Sequence, residues 1–135
     1  MYRNLLVPVA FDREHKPEAA LAVTRALASP GARVTILHVM EEAPPYALSY
    51  IPEDVLHSLR EAIRAELGAM TASFDQAEAL LLEGQPGHTI LRWAEDNDCD
   101  CIVIASRRPG IQDRVLGSTA SWVVSRAHCA VHVVR

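Results

Sequence analysis

The stretch Ala105-Ser106-Arg107-Arg108-Pro109-Gly110-Ile111-Gln112-Asp113-Arg114-Val115-Leu116-Gly117-Ser118-Thr119 gathers the groups best suited to chemistry in this sequence. It holds three arginines, a central glycine and a Gly-Ser-Thr step that opens a helical pattern. Free backbone amides at a helix start, hydroxyls beside them and nearby guanidinium groups suit a phosphate. A plainer account of the same residues has Gly110 turning the loop, Ser118 capping the helix and the arginines solvated.

Other groups offer less. Cys99-Asp100-Cys101 and His128-Cys129 raise the question of zinc, but neither pair has the two-residue spacer of common sites, so buried thiols and no metal are expected. Asp12, Glu14 and His15 suggest an acid/base cluster, for which a solvated loop before a helix is the simpler account. His88 follows Gly87 near a helix start and reads as a surface residue. Ser118 has no His nearby in sequence and no nucleophile-elbow pattern, which leaves serine hydrolase chemistry without support.

The elements that must position these groups alternate along the chain. Short, branched apolar runs at Asn4–Ala10, Ala32–Val39, Ala77–Glu83, Cys101–Ala105 and Ala130–Val134 predict five strands. Apolar residues at helical spacing predict helices over Lys16–Ala28, Pro52–Ser73, Thr89–Asp96 and Ser118–Ala127. Pro52 with Glu53 and Asp54 suits a helix start. Strict alternation implies right-handed crossovers and an α/β fold, a five-stranded parallel open sheet with helices on both faces.

The first and fourth strands have the most continuous apolar runs and belong at the centre. The third, with Glu78 and Glu83 near its ends, suits an edge. The expected order is 3-2-1-4-5, with a switch point between strands 1 and 4, where ligands of such sheets bind. Three segments meet there: Pro8–Asp12, Val39–Met40 and Ala105–Thr119. The long connection Glu41–Ile51 leaves a carboxyl end and is placed to close over a ligand.

The chain has 135 residues, one domain spanning 1–135, with half of its residues hydrophobic and 22% charged. That composition excludes a disordered tail and predicts a well-buried core. Aromatic residues make up only 5%, so Val, Leu, Ile and Ala must fill it. A net charge of −4 argues against nucleic acid or anionic membrane as a partner. No apolar stretch reaches the ~18 residues of a membrane helix, and the first residues do not read as a signal peptide. Three cysteines, an odd number, fit reduced thiols in a cytoplasm.

Ile104-Ala105-Ser106, Leu116-Gly117-Ser118-Thr119, Val123-Val124, Ala127-His128-Cys129 and Val131-His132-Val133-Val134-Arg135 together resemble the universal stress protein family. Asn4-Leu5-Leu6-Val7-Pro8-Val9, Leu37-His38-Val39 and Glu83-Gly84-Gln85-Pro86 fit the same family, so the likeness spans the chain. It implies an adenine nucleotide alpha hydrolase-like, Rossmann-like fold. It also implies a loop of the form Gly-x2-Gly-x9-Gly-Ser/Thr that holds the phosphates and ribose of ATP.

On that resemblance Pro8, Val9 and Val39 border the base, while Ala105 and Ser106 underlie the sugar and α-phosphate. Gly117, Ser118 and Thr119 face the phosphates, and Gly84 brings a backbone near the ligand. Ala10 stands where ATP-binding members usually carry an aspartate that contacts the nucleotide. Ala105 replaces the first loop glycine and Arg107-Arg108 stands near the second, in a loop one residue shorter. The Ser-x-Arg-Pro form resembles one branch of the family.

The expected function is a stress or signalling module that binds ATP or another adenine nucleotide, magnesium accompanying it, and displays a changed surface to an unidentified protein partner. The alternatives are a dimeric interaction module without nucleotide and a slow ATP hydrolase. Hydrolysis has the least support, because phosphoryl transfer needs metal ligands and only Asp12 remains near Ala10. Finally, Val131, His132, Val133 and Val134 form a short β-branched edge without proline, open to pairing with a second copy. The family likeness also implies a homodimer through this strand.

Overall fold

Leu5, Leu6 and Val7 are fully buried at the centre of a five-stranded parallel sheet. The computed structural model describes residues 1–11, 16–106 and 116–135. Its strands are β1 (Tyr2–Pro8), β2 (Ala28–Met40), β3 (Ala77–Glu83), β4 (Cys101–Ala105) and β5 (Ala130–Val134). They pair in the order β3-β2-β1-β4-β5, the expected arrangement. Every adjacent pair is parallel.

Alternation of side chains divides the core in two. On one face Leu5, Val7, Val34, Ile36 and Val103 pack against α1 (Glu18–Leu27) through Ala20 and Leu21. Ile63 and Leu67 of a long helix over Glu53–Met70 cover the rest of that face. On the other face Leu6, Leu37, Val39, Ile102 and Ile104 meet Ile90 and Ala94 of a helix over Pro86–Asp96. Ala120 and Val123, from a helix over Ser118–Arg126, complete it. A short helix at Pro45–Leu48 precedes the long one. In chain order these four are α2 (Pro45–Leu48), α3 (Glu53–Met70), α4 (Pro86–Asp96) and α5 (Ser118–Arg126). Each fully buried leucine in these layers stabilises the fold by about 1.5–3 kcal/mol.

Several boundaries differ from the sequence expectation, and those with a clear physical reason are these. β2 starts at Ala28 rather than Ala32: Pro30-Gly31 has turn-like composition, but the chain stays extended through it. Tyr2 pairs with Ala28 and Asn4 with Arg33, so β2 bulges between them, with Gly31 at φ +78°. β1 ends at Pro8, whose missing amide interrupts the ladder, although the Val9 amide still donates to the Leu37 carbonyl at 2.8 Å. α4 starts at Pro86 rather than Thr89, with the Gln85 side chain accepting from the His88 amide. The predicted helix over Pro52–Ser73 tightens to a 3₁₀ turn over Thr71–Ser73.

The thiols sit at the amino ends of β4 and β5. Cys99 and Cys101 are buried, Cys129 is half-buried, and all three are free. Burial, reinforced by Cys129 and by Asp100, pushes the Cys99 thiol up to about 12. The same causes raise Cys101 to about 11. These groups stay protonated and behave as small hydrophobes.

Candidate functional site

The carboxyl ends of β1, β2 and β4 open into a cleft of about 590 Å³ at the switch point. Pro8, Val9 and Ala10 follow from β1, and Leu37 to Glu41 from β2. Ile104, Ala105 and Ser106 come from β4, and Gly117 to Ala120 from the start of α5. α3 contributes Leu59 and Ile63 as one wall, and Pro86 and Ile90 of α4 form another. The lining is mostly apolar, with hydroxyls at Ser106, Ser118 and Thr119 and charged or polar side chains at Lys16, His38 and Glu41.

α5 begins without a side-chain cap. Gly117 is the cap residue, in extended backbone, and the Ser118 hydroxyl lies inside the first turn instead of capping it. The first helical bond runs from the Ser121 amide to the Gly117 carbonyl at 2.9 Å. The amides of Ser118, Thr119 and Ala120 precede it and have no intrahelical acceptor. With the positive end of the helix dipole they make a place where an anion is favoured.

Ser106 stands beside them. Its amide donates to the Val134 carbonyl at 2.9 Å, and its carbonyl accepts from the Gly117 amide. The hydroxyl is different. Ser106 is 1% exposed, and its Oγ has no hydrogen-bond partner among the described residues. A buried hydroxyl without a partner costs about 1–3 kcal/mol, and this one lies in the cleft lining, where a polar atom would satisfy it.

On the opposite side, His38 Nδ1 lies 2.8 Å from the Val9 carbonyl oxygen. A carbonyl only accepts, so Nδ1 carries the hydrogen in this contact. The imidazole meets Phe11 edge-on, with ring centroids 4.8 Å apart. This pair fixes the backbone after β1 against the end of β2. Sequence reasoning named Phe11 and Glu41 only within segments at the cleft and His38 only within the family likeness, and it gave Lys16 no place there, although a histidine within an otherwise apolar strand was a visible signal.

Pro8, Val9, Ala10, Val39, Ala105, Ser106, Gly117, Ser118 and Thr119 are therefore brought together in one lining. Gly84 is not part of it. Its amide bonds the Met40 carbonyl at 2.9 Å, and it serves the approach of α4 to β3. At φ +146° it tolerates no side chain easily, and a Cβ there would come within 2.7 Å of Thr89 Oγ1. Arg107, Arg108, Gly110 and Arg114 lie outside the described residues, as do Asp12, Glu14 and His15. The segment expected to close over the cleft contributes only Glu41; the wall comes from α3.

The profile of the universal stress protein family matches residues 1–135. A universal stress protein encoded in the QAH/OAS sulfhydrylase 3′ region of Thermus aquaticus is 34% identical, with both chains covered in full. Among solved structures, the universal stress protein UspA from Lactobacillus plantarum superposes with a TM-score of 0.74 at 29% identity, covering 99% of this chain and 98% of that one. An Archaeoglobus fulgidus universal stress protein in complex with dAMP has a TM-score of 0.65 at 20% identity, covering 99% and 98%. Another family member, in complex with cAMP, has 0.66 at 19%, covering 99% and 97%. The sheet order, the cleft at the switch point and the full-length profile match agree, and this chain belongs to the universal stress protein family.

Proposed function

We propose that the cleft binds an adenine nucleotide and that the protein acts as a nucleotide-responsive stress or signalling module. The observation that carries this reading is the Ser106 hydroxyl, without a partner among the described residues and buried beside the uncapped amides of α5 in one lining. Together they suit a phosphate, while Pro8, Val9 and Val39 offer the apolar slot a base requires. The dAMP and cAMP complexes of the two relatives support an adenine ring, sugar and α-phosphate as the common ligand. Ala10 offers no carboxylate, so magnesium would accompany ATP through the phosphates themselves. Arg107 and Arg108 join the proposal as phosphate contacts on the family likeness alone.

The response has a candidate outlet. Tyr46, Leu48, Tyr50, Val55 and Leu59 are exposed on α2, the turn after it and the start of α3. Leu59 also lines the cleft, which supports a surface whose shape depends on occupancy. A protein partner would read that surface, and the outer edge of β5 would join two copies as a homodimer. No described helix is long and apolar enough to cross a membrane. Three free thiols suit a reducing cytoplasm.

Calorimetric titration with AMP, ADP and ATP tests the reading. Gly117→Val would crowd the phosphate position and disturb the start of α5, and affinity should fall at least about tenfold. Ser118→Ala should weaken binding about fivefold by removing one hydrogen bond. Unchanged affinity in both variants would place the ligand elsewhere.

A further inference from the structure

We propose that Glu41 binds the ribose hydroxyls of the nucleotide and makes the cleft selective for ribonucleotides over 2′-deoxyribonucleotides. This rests on the adenine nucleotide reading and extends it to the sugar. Among the described residues Glu41 is the one carboxylate of the lining. It follows Val39 by two residues, just past the end of β2, and it is exposed. No hydrogen bond or ion pair ties it to another described residue.

A carboxylate in a cleft for an anionic ligand must face a part of that ligand that donates hydrogen bonds. Beside a phosphate it would repel. The phosphate position is already set at Ser106 and the start of α5, on β4 and the helix that follows it. Glu41 follows a different strand, β2, two residues after Val39, which on the nucleotide reading borders the base. Between base and phosphate lies the ribose, whose vicinal hydroxyls are two donors matched to two carboxylate oxygens. Acidic side chains take this role in dinucleotide sites of parallel sheets, where they hydrogen-bond the ribose 2′-hydroxyl. Ala10, at the end of β1, supplies no such group, so the second strand provides it.

The test is calorimetric titration of the wild-type protein and of Glu41→Ala with AMP and with dAMP. Wild-type protein should bind AMP about tenfold more tightly than dAMP, the loss expected for one hydrogen bond to a charged acceptor. In Glu41→Ala the ratio should fall to about one, with AMP weakened more than dAMP, which loses only its 3′-hydroxyl contact. Equal wild-type affinities, or a preference that survives in Glu41→Ala, overturn the role of Glu41 while leaving nucleotide binding intact. Absence of binding to either nucleotide overturns the nucleotide reading, and the ribose contact with it.

Discussion

Ser106 is the residue at which stability and ligand binding should part. Its backbone is satisfied on both sides, and only its hydroxyl lacks a partner among the described residues. Replacing a buried, unpaired hydroxyl by a hydrogen removes a desolvation penalty. Ser106→Ala should therefore stabilise the ligand-free protein by about 1 kcal/mol, read as a rise in the midpoint of chemical unfolding. The same variant should bind AMP about fivefold more weakly or worse, because the phosphate loses a donor. A purely structural serine would lower stability and leave affinity alone. Ser106 was legible in the sequence through the loop it opens and the family likeness. Its lack of a partner was not, because that depends on how β5 and Gly117 occupy its backbone. His38 and Glu41 were named only as parts of longer segments for a related reason: each lies within or just after a strand, and a local pattern does not show which side chains of a strand end line the cleft.

At the scale of elements, the cleft depends on how α4 and α5 lie against each other. Gly87, in the first turn of α4, is buried against the Trp122 ring of α5. A Cβ at position 87 would come within 2.5 Å of Trp122 Cδ1 and 2.8 Å of its Cγ. Those are atoms near the base of a rigid side chain, and the Arg126 guanidinium lies 3.5 Å over the Trp122 ring. Gly87→Ala must therefore push the helices apart, against the higher helix propensity of alanine. The expected result is destabilisation by about 1–3 kcal/mol, measured by thermal unfolding. A rise in the midpoint would show that Trp122 moves aside freely. Element order was readable because alternating apolar runs and amphipathic stretches leave few topologies, and buried Leu5–Val7 and Cys101–Ile104 put β1 and β4 at the centre. Boundaries were less readable. The extension of β2 back to Ala28 depends on pairing with Tyr2, a long-range contact invisible to a local pattern. The single turn of α2 is too short to carry a period of its own.

For the whole molecule, the outer edge of β5 is the surface at which the proposed homodimer would form. The Ser106 amide bonds the Val134 carbonyl, so Val134 directs its backbone groups towards β4. Neighbouring residues in a strand direct theirs alternately to either side. Val133 therefore presents its amide to the free edge of the sheet, beyond which no described strand lies. Two copies related by a two-fold axis would join there as antiparallel strands, giving one continuous sheet. Val131 and Val133 are half-buried within each copy, and His132 is exposed between them. Val133→Pro should abolish this pairing, because proline removes an outward donor while sparing the bonds to β4. Light scattering at micromolar concentration should give twice 14.8 kDa for the wild type and 14.8 kDa for the variant. The variant should keep its affinity for AMP within about twofold, since Val134 still holds Ser106. A wild-type mass of 14.8 kDa would rule out the dimer. A dimer that survives Val133→Pro would move the interface away from β5, to the exposed apolar side chains of α2 and α3.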